Sequence, residues 1–135
     1  MNTEQLQKTL RASQYAEQVL GLHQTALEQD YAIDQFHHAL TTNDIFQRVE
    51  QELKDIQDES QWMRTLRILR AKLMFRWIWQ DANQLTNVIT LTRELSDFAD
   101  ACICAAKQFA LPPLLAKHGE PIGYDGQIQD LIVVG

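Results

Sequence analysis

Five glycines and three prolines are few turn-makers for a chain of 135 residues. A sandwich or barrel of many short strands would need more, so their scarcity argues against an all-β architecture and for helices. Cysteine is rarer still. Cys102 and Cys104 stand two apart, which on a helix turns them to nearly opposite sides, so they neither bond to each other nor share a metal. Two reduced cysteines point to a cytoplasmic protein. No run of 18 or more apolar residues is present, which excludes a transmembrane helix. The opening residues, MNTEQLQKTLRASQ, lack the apolar core and small-residue cleavage site of a signal peptide. Positive charge is also short: 12 Lys and Arg against 18 Asp and Glu leave −6, which speaks against general nucleic-acid binding.

What remains is an ordinary globular composition, 45% apolar and 22% charged. A chain of this size buries roughly two-thirds of its unfolded surface and needs neither metal nor disulfide to fold. Residues 1–60 carry four basic and eleven acidic side chains and read as several short helices. Ser13 is placed to cap one that carries Tyr15, Val19, Leu20 and Leu22, with Gly21 near its end. The cluster Thr42, Asn43 and Asp44 caps another, whose apolar face is Ile45, Phe46, Val49, Leu53 and Ile56. Short helices of this kind need a larger element to pack on.

That element follows. Asp58 with Gln61 three residues later resembles a capping box, and the next 19 or so residues read as one long helix. Trp62, Leu66, Leu69, Leu73 and Trp77 form its main stripe, while Met63, Phe75, Ile78 and Trp79 widen the apolar surface to several sides. A helix apolar on several sides belongs at the centre of a bundle. Thr86 or Asn87 opens a second long helix with Val88, Leu91, Leu95, Phe98, Ala99, Cys102, Ala105 and Ala106 at spacings of three and four. Pro112 and Pro113 predict a kink or break, after which Leu114 to Ala116 resume the pattern and Gly119 with Pro121 ends it. A turn at Tyr124 to Gln127 precedes Asp130-Leu131-Ile132-Val133-Val134-Gly135, an apolar, β-branched run that reads as a strand. The expected fold is therefore an all-α helical bundle with one or two long core helices and a C-terminal strand stub. Its expected units are a helical subdomain over 1–120 and a turn and first strand over 121–135.

The strongest charge feature lies on the core helix. Residues 61–80 hold Arg64, Arg67, Arg70, Lys72 and Arg76 and no acid. The plainer reading pairs these cations with the acidic N-terminal helices, their stems covering apolar surface. The functional reading is a face that grips phosphate or an acidic partner, with Arg64, Arg67 and Arg70 as its contacts. His37 and His38, neighbours on a helix, diverge by about 100° and make no metal site. His23 and His118 have no ligands at useful spacing. Asp97 and Asp100 share a face that reads as solvated. No nucleophile elbow and no complete glycine-rich phosphate loop is found, so neither a catalytic nor a metal residue is assigned.

The segment RILRAKLMFRWIWQDANQLTNVITLTRELSDFADACICAA, with HGEP and the terminal DLIVVG, resembles the glutamate–ammonia-ligase adenylyltransferase family. The resemblance rests on Leu69-Arg70-Ala71-Lys72 through Arg76, Ile78 and Trp79, on Leu95-Ser96-Asp97-Phe98-Ala99-Asp100, and on Gly119-Glu120-Pro121. It is good from about residue 60 onward and weaker before, where Ser13, Tyr15 and His23 carry it. It implies a bifunctional nucleotidyltransferase that adds AMP to glutamine synthetase and removes it by phosphorolysis, in control of nitrogen metabolism. The first, adenylyl-removing half fits better. Family members continue from the strand into a Gly-Met-Gly-Lys-Leu-Gly-Gly loop and a Ser-Asp-x-Asp carboxylate pair. Gly135 stands where that phosphate loop begins, and the lysine and carboxylates lie beyond it. The resemblance thus implies Mg²⁺ and ATP, ADP or phosphate for the full-length enzyme and no cofactor held by these residues alone. It implies glutamine synthetase and the PII signal protein as partners, and neither nucleic acid nor membrane. A scaffold that is inert by itself is one expectation; a helical module that binds glutamine synthetase or PII is another, and an independent helical adaptor is a third.

Overall fold

The computed structural model describes residues 1–133. Five helices account for its regular structure: α1 (Thr3–Ala12), α2 (Gln14–Asp34), α3 (Thr42–Leu53), α4 (Glu59–Ala82) and α5 (Val88–His118). Every start carries a side-chain cap. Asn2, Ser13, Thr41, Asp58 and Asn87 each accept from a backbone N–H of the first turn that the helix itself cannot satisfy. At α3 the capping residue is Thr41, one before the expected cluster. It forms a reciprocal box in which the Asp44 amide donates to Thr41 Oγ1 at 3.1 Å and the Thr41 amide donates to Asp44 Oδ2 at 2.9 Å.

Helix α4 is the central element, and its wheel explains why. Leu69, Leu73 and Trp77 fall on one side; Phe75 and Trp79 lie about half a turn away. The first set joins Ile45, Val49 and Leu53 of α3 and Phe98 and Ala101 of α5 in one buried cluster. The second joins Ala16, Val19 and Leu27 of α2 and Phe36 of the following loop in another. One helix therefore faces two cores, and its apolar residues cannot be confined to one stripe. Aromatic edges fix the geometry. Trp77 meets Phe98 edge-on with centroids 5.8 Å apart, Trp62 stacks on Phe109 at 5.0 Å, and Tyr31, Phe36 and Trp79 form a three-ring group.

Several expectations need correction. The N-terminal region is not built only of short helices: α2 spans 21 residues, and the helical path continues past Gly21, with its irregularity two residues later at His23 (φ −134°, ψ 25°). His37 and His38 lie in the irregular segment after α2, not on a helix. Gln35 and Phe36 end α2 at φ 54° and 57°, which turns the chain before the pair is reached. Pro112 and Pro113 sit inside an unbroken α5. Proline holds φ near the helical value, and on a surface helix the carbonyls it leaves free can turn to water. The strand stub is absent over residues 130–133, where the backbone has no partner strand to pair with. Val134 and Gly135, the end of that expected strand, lie outside the described residues. The local pairing that does form is a single antiparallel bridge between Ile122 and Ile128, around a turn with Gly126 at φ 76°.

Candidate functional site

The basic residues of α4 separate into two groups, as helical geometry requires. Lys72 and Arg76 are one turn apart on one face, while Arg64, Arg67 and Arg70 point away from it. The inward pair confirms the plainer reading for these two residues. Lys72 Nζ lies 3.1 Å from Glu52 and 3.6 Å from Asp30, which Arg48 also engages. Arg76, buried, donates from both terminal nitrogens to Asp34 at 2.9 and 2.7 Å and to the His38 carbonyl at 2.5 Å, and covers the Phe36 ring. Burial alone would raise the Asp34 carboxyl. The Arg76 hydrogen bonds, the Phe36 amide and the charges of Arg76 and His38 together outweigh it and hold Asp34 below its ordinary value.

These contacts fasten the loop between α2 and α3 onto α4. Gln80 Nε2 donates to the carbonyls of Phe36 and His38, both at 3.0 Å. Further along, the Leu40 amide donates to Glu94 Oε1 at 3.1 Å and Trp77 Nε1 donates to Glu94 Oε2 at 2.9 Å, so a fully buried carboxylate joins α4, α5 and the loop. Arg93 donates to the Leu40 carbonyl at 2.6 Å and to Asp97 at 2.8 Å, and Thr42 Oγ1 donates to Asp97 at 2.9 Å. Asp97 is thus tied into a network, while Asp100 remains exposed. Sequence reasoning missed Glu94, Gln80 and Asn83. Apart from the Trp79 carbonyl, which Asn83 reaches within its own helix end, their side-chain hydrogen-bond partners lie 17 to 78 residues away, at no periodic spacing.

The outward group forms no salt bridge among the described residues. Arg64, Arg67 and Arg70 are exposed, and Arg67 Nε donates to the Met63 carbonyl at 3.2 Å. Beside them a groove of about 470 Å³ opens between the start of α4 and the end of α5, lined by Trp62, Met63, Phe109, Ala110 and Leu114, with Glu59 at its lip. Cys102 of α5, near Arg70 of α4, has its thiol pushed up to about 11 by burial despite that guanidinium, which makes it a poor nucleophile. Both cysteines are free.

No three His, Cys, Asp or Glu side chains gather closely enough to hold a metal ion among the described residues. No described helix is long and apolar enough to cross a membrane.

The family model described as glutamate-ammonia ligase adenylyltransferase matches residues 3–135. A protein of Acinetobacter baylyi named bifunctional glutamine synthetase adenylyltransferase/adenylyl-removing enzyme is 82% identical over the whole chain, which covers 15% of that relative. Proteins of the same name from Thioalkalivibrio sulfidiphilus and Pseudomonas putida are 33% and 38% identical over 71% and 58% of the chain, covering 10% and 8% of their own lengths. No solved structure matches. The chain thus spans a small part of the relatives it resembles. With a match from residue 3 to residue 135 and such identity along its full length, the chain belongs to the glutamate-ammonia ligase adenylyltransferase family.

Proposed function

We propose that this chain is the helical scaffold of a bifunctional glutamine synthetase adenylyltransferase/adenylyl-removing enzyme, and that it catalyses neither addition nor removal of AMP alone. The observation that carries the reading is the double burial of α4. A helix committed on two sides to packing, with Lys72 and Arg76 drawn into ion pairs, holds neighbouring elements in place. Nucleotidyl transfer needs amide donors around phosphate and carboxylates that hold divalent cations against the reacting oxygens. The described carboxylates are scattered or engaged in structural bonds, so those groups would come from outside residues 1–133. On this reading residues 121–135 lead into the nucleotidyltransferase unit, with Gly135 at the mouth of its phosphate loop, and Mg²⁺ and the nucleotide are held beyond it in a cytoplasmic enzyme.

The test is direct. The purified chain, incubated with AMP-modified glutamine synthetase, Mg²⁺ and phosphate, should release no AMP above the rate without protein. Release proportional to chain concentration would refute the reading. A second reading, recognition of glutamine synthetase or PII, is favoured by Arg64, Arg67 and Arg70, which form no salt bridge among the described residues. Reversing Arg64 and Arg67 to Glu should then leave helical content unchanged and weaken partner binding.

A further inference from the structure

Helix α5 presents a second apolar stripe that the bundle does not cover. Ala99, Ile103, Ala106, Ala110 and Leu114 recur at spacings of four, three, four and four, and all five are exposed. Together with Val88 and Leu95 the apolar exposure runs about 40 Å along the helix at 1.5 Å per residue. Its lower half is one wall of the groove described above, and Met63, 47% exposed, is on the other. A continuous apolar strip of this length is uncommon on a free protein surface and marks a place where something packs. The run of alanines lets a helix approach closely.

Charge says which kind of helix. Met63, Arg67 and Arg70 follow one another at i, i+4 and i+7, so both arginines continue the line of Met63 along α4, past the side chains that line the groove and beside the α5 strip. Lys117, seven residues after Ala110, is on the same side of α5. These three cations form no salt bridge among the described residues, although the chain as a whole is at −6. Glu59 is the one acid among the side chains lining the groove. A second copy of this acidic chain is a weaker fit, because its own apolar strip carries the same cations. The relatives offer a nearer source, since this chain corresponds to only 15% of the Acinetobacter baylyi protein.

We infer that the α4–α5 groove is the seat of an amphipathic helix with carboxylates flanking its apolar face, supplied by the part of the full-length enzyme outside these 135 residues. The inference rests on the reading that the chain is one portion of that enzyme. The arginine edge then fixes the register of the docked helix, and the alanine strip sets its depth.

Ala110→Cys provides the probe, since Ala110 lines the groove and is exposed. Trypsin releases it in residues 108–117, apart from Cys102 and the exposed reference Cys104. In the isolated chain N-ethylmaleimide should label position 110 at a rate similar to Cys104. In the full-length Acinetobacter baylyi enzyme carrying the same substitution at the matching position, labelling should be at least about tenfold slower at every protein concentration. Arg67→Glu with Arg70→Glu should restore fast labelling, and the paired Lys variants should preserve protection. If the Glu pair fails to fold, 1 M salt on the unreversed protein should release the protection in its place. Equal rates in chain and enzyme would overturn the inference. So would protection lost on dilution, protection indifferent to charge reversal and salt, or protection that appears only when glutamine synthetase is added. Release of AMP by the isolated chain would sink the scaffold reading and leave these rates unaffected.

Discussion

Trp77 offers the sharpest measure of how α4 holds the bundle. Its indole is 2% exposed, edge-on to Phe98, and its N–H donates to the buried Glu94 carboxylate. Trp77→Ala removes two contributions at once. Deleting a buried aromatic costs about 3–5 kcal/mol through lost transfer energy and the cavity left behind. Leaving a buried acceptor short of its donor adds about 1–3 kcal/mol. The two separate in Trp77→Phe, which keeps most of the ring and loses the N–H. The expected losses are about 4 kcal/mol or more for Ala and about 1–3 kcal/mol for Phe. Glu94→Gln in the Trp77→Phe background should recover part of the second loss, because a neutral amide is less costly to leave underbonded than a carboxylate. Urea unfolding followed by far-UV circular dichroism gives all three, provided the slope stays constant across the series. A loss below 1 kcal/mol for Trp77→Ala would refute the placement of this indole in the core. Equal losses for Ala and Phe would refute the partition between ring and hydrogen bond.

Two further perturbations test the loop that α4 fastens. Asp34 has its folded carboxyl held below the ordinary 3.8, so its contribution is present above that value and is lost as pH falls through the folded one. The stability gap between the native chain and Asp34→Asn should therefore be constant from pH 7 to about 5 and close below 3.8, read from urea midpoints at each pH; a gap that widens in acid would contradict the Arg76 pairing. Thr41→Ala removes the reciprocal cap of α3 and should cost about 1 kcal/mol. The Asp44 carboxyl, held low by the Thr41 hydroxyl and then its amide, should return toward its usual value in an NMR titration of the same variant.

The helices of this protein were legible because their signals are local. Spacings of three and four along Trp62 to Trp77 and Val88 to Ala106 gave the two long helices, and Ser13, Asp58 and Asn87 marked their starts and that of α2. The ion pairs of Lys72 and Arg76 were legible in kind, since an acidic N-terminal region and a basic helix must meet somewhere. Which cations pair was not, because it depends on where α2 and α3 land on the α4 wheel. The buried hub at Glu94 had no sequence signal at all: a glutamate in an amphipathic helix reads as solvated until Trp77 and the Leu40 amide are brought to it.

The end of the chain shows the opposite limit. Leu131, Ile132 and Val133 have strand-forming side chains, yet the described backbone there makes no ladder and all three are exposed. Propensity acts on the residue, whereas a strand exists only when a neighbour accepts and donates its backbone bonds. The same logic applies to the apolar strip of α5. Packing of Phe98 and Ala101 against α3 and α4 holds the helix from one side, so its other side stands exposed on the surface, and Leu114 is left 52% exposed. A helix can form before its partner arrives and a strand cannot. The uncovered α5 strip and the unformed strand at 130–133 are thus alike in one respect: each is apolar surface without a complement among the described residues.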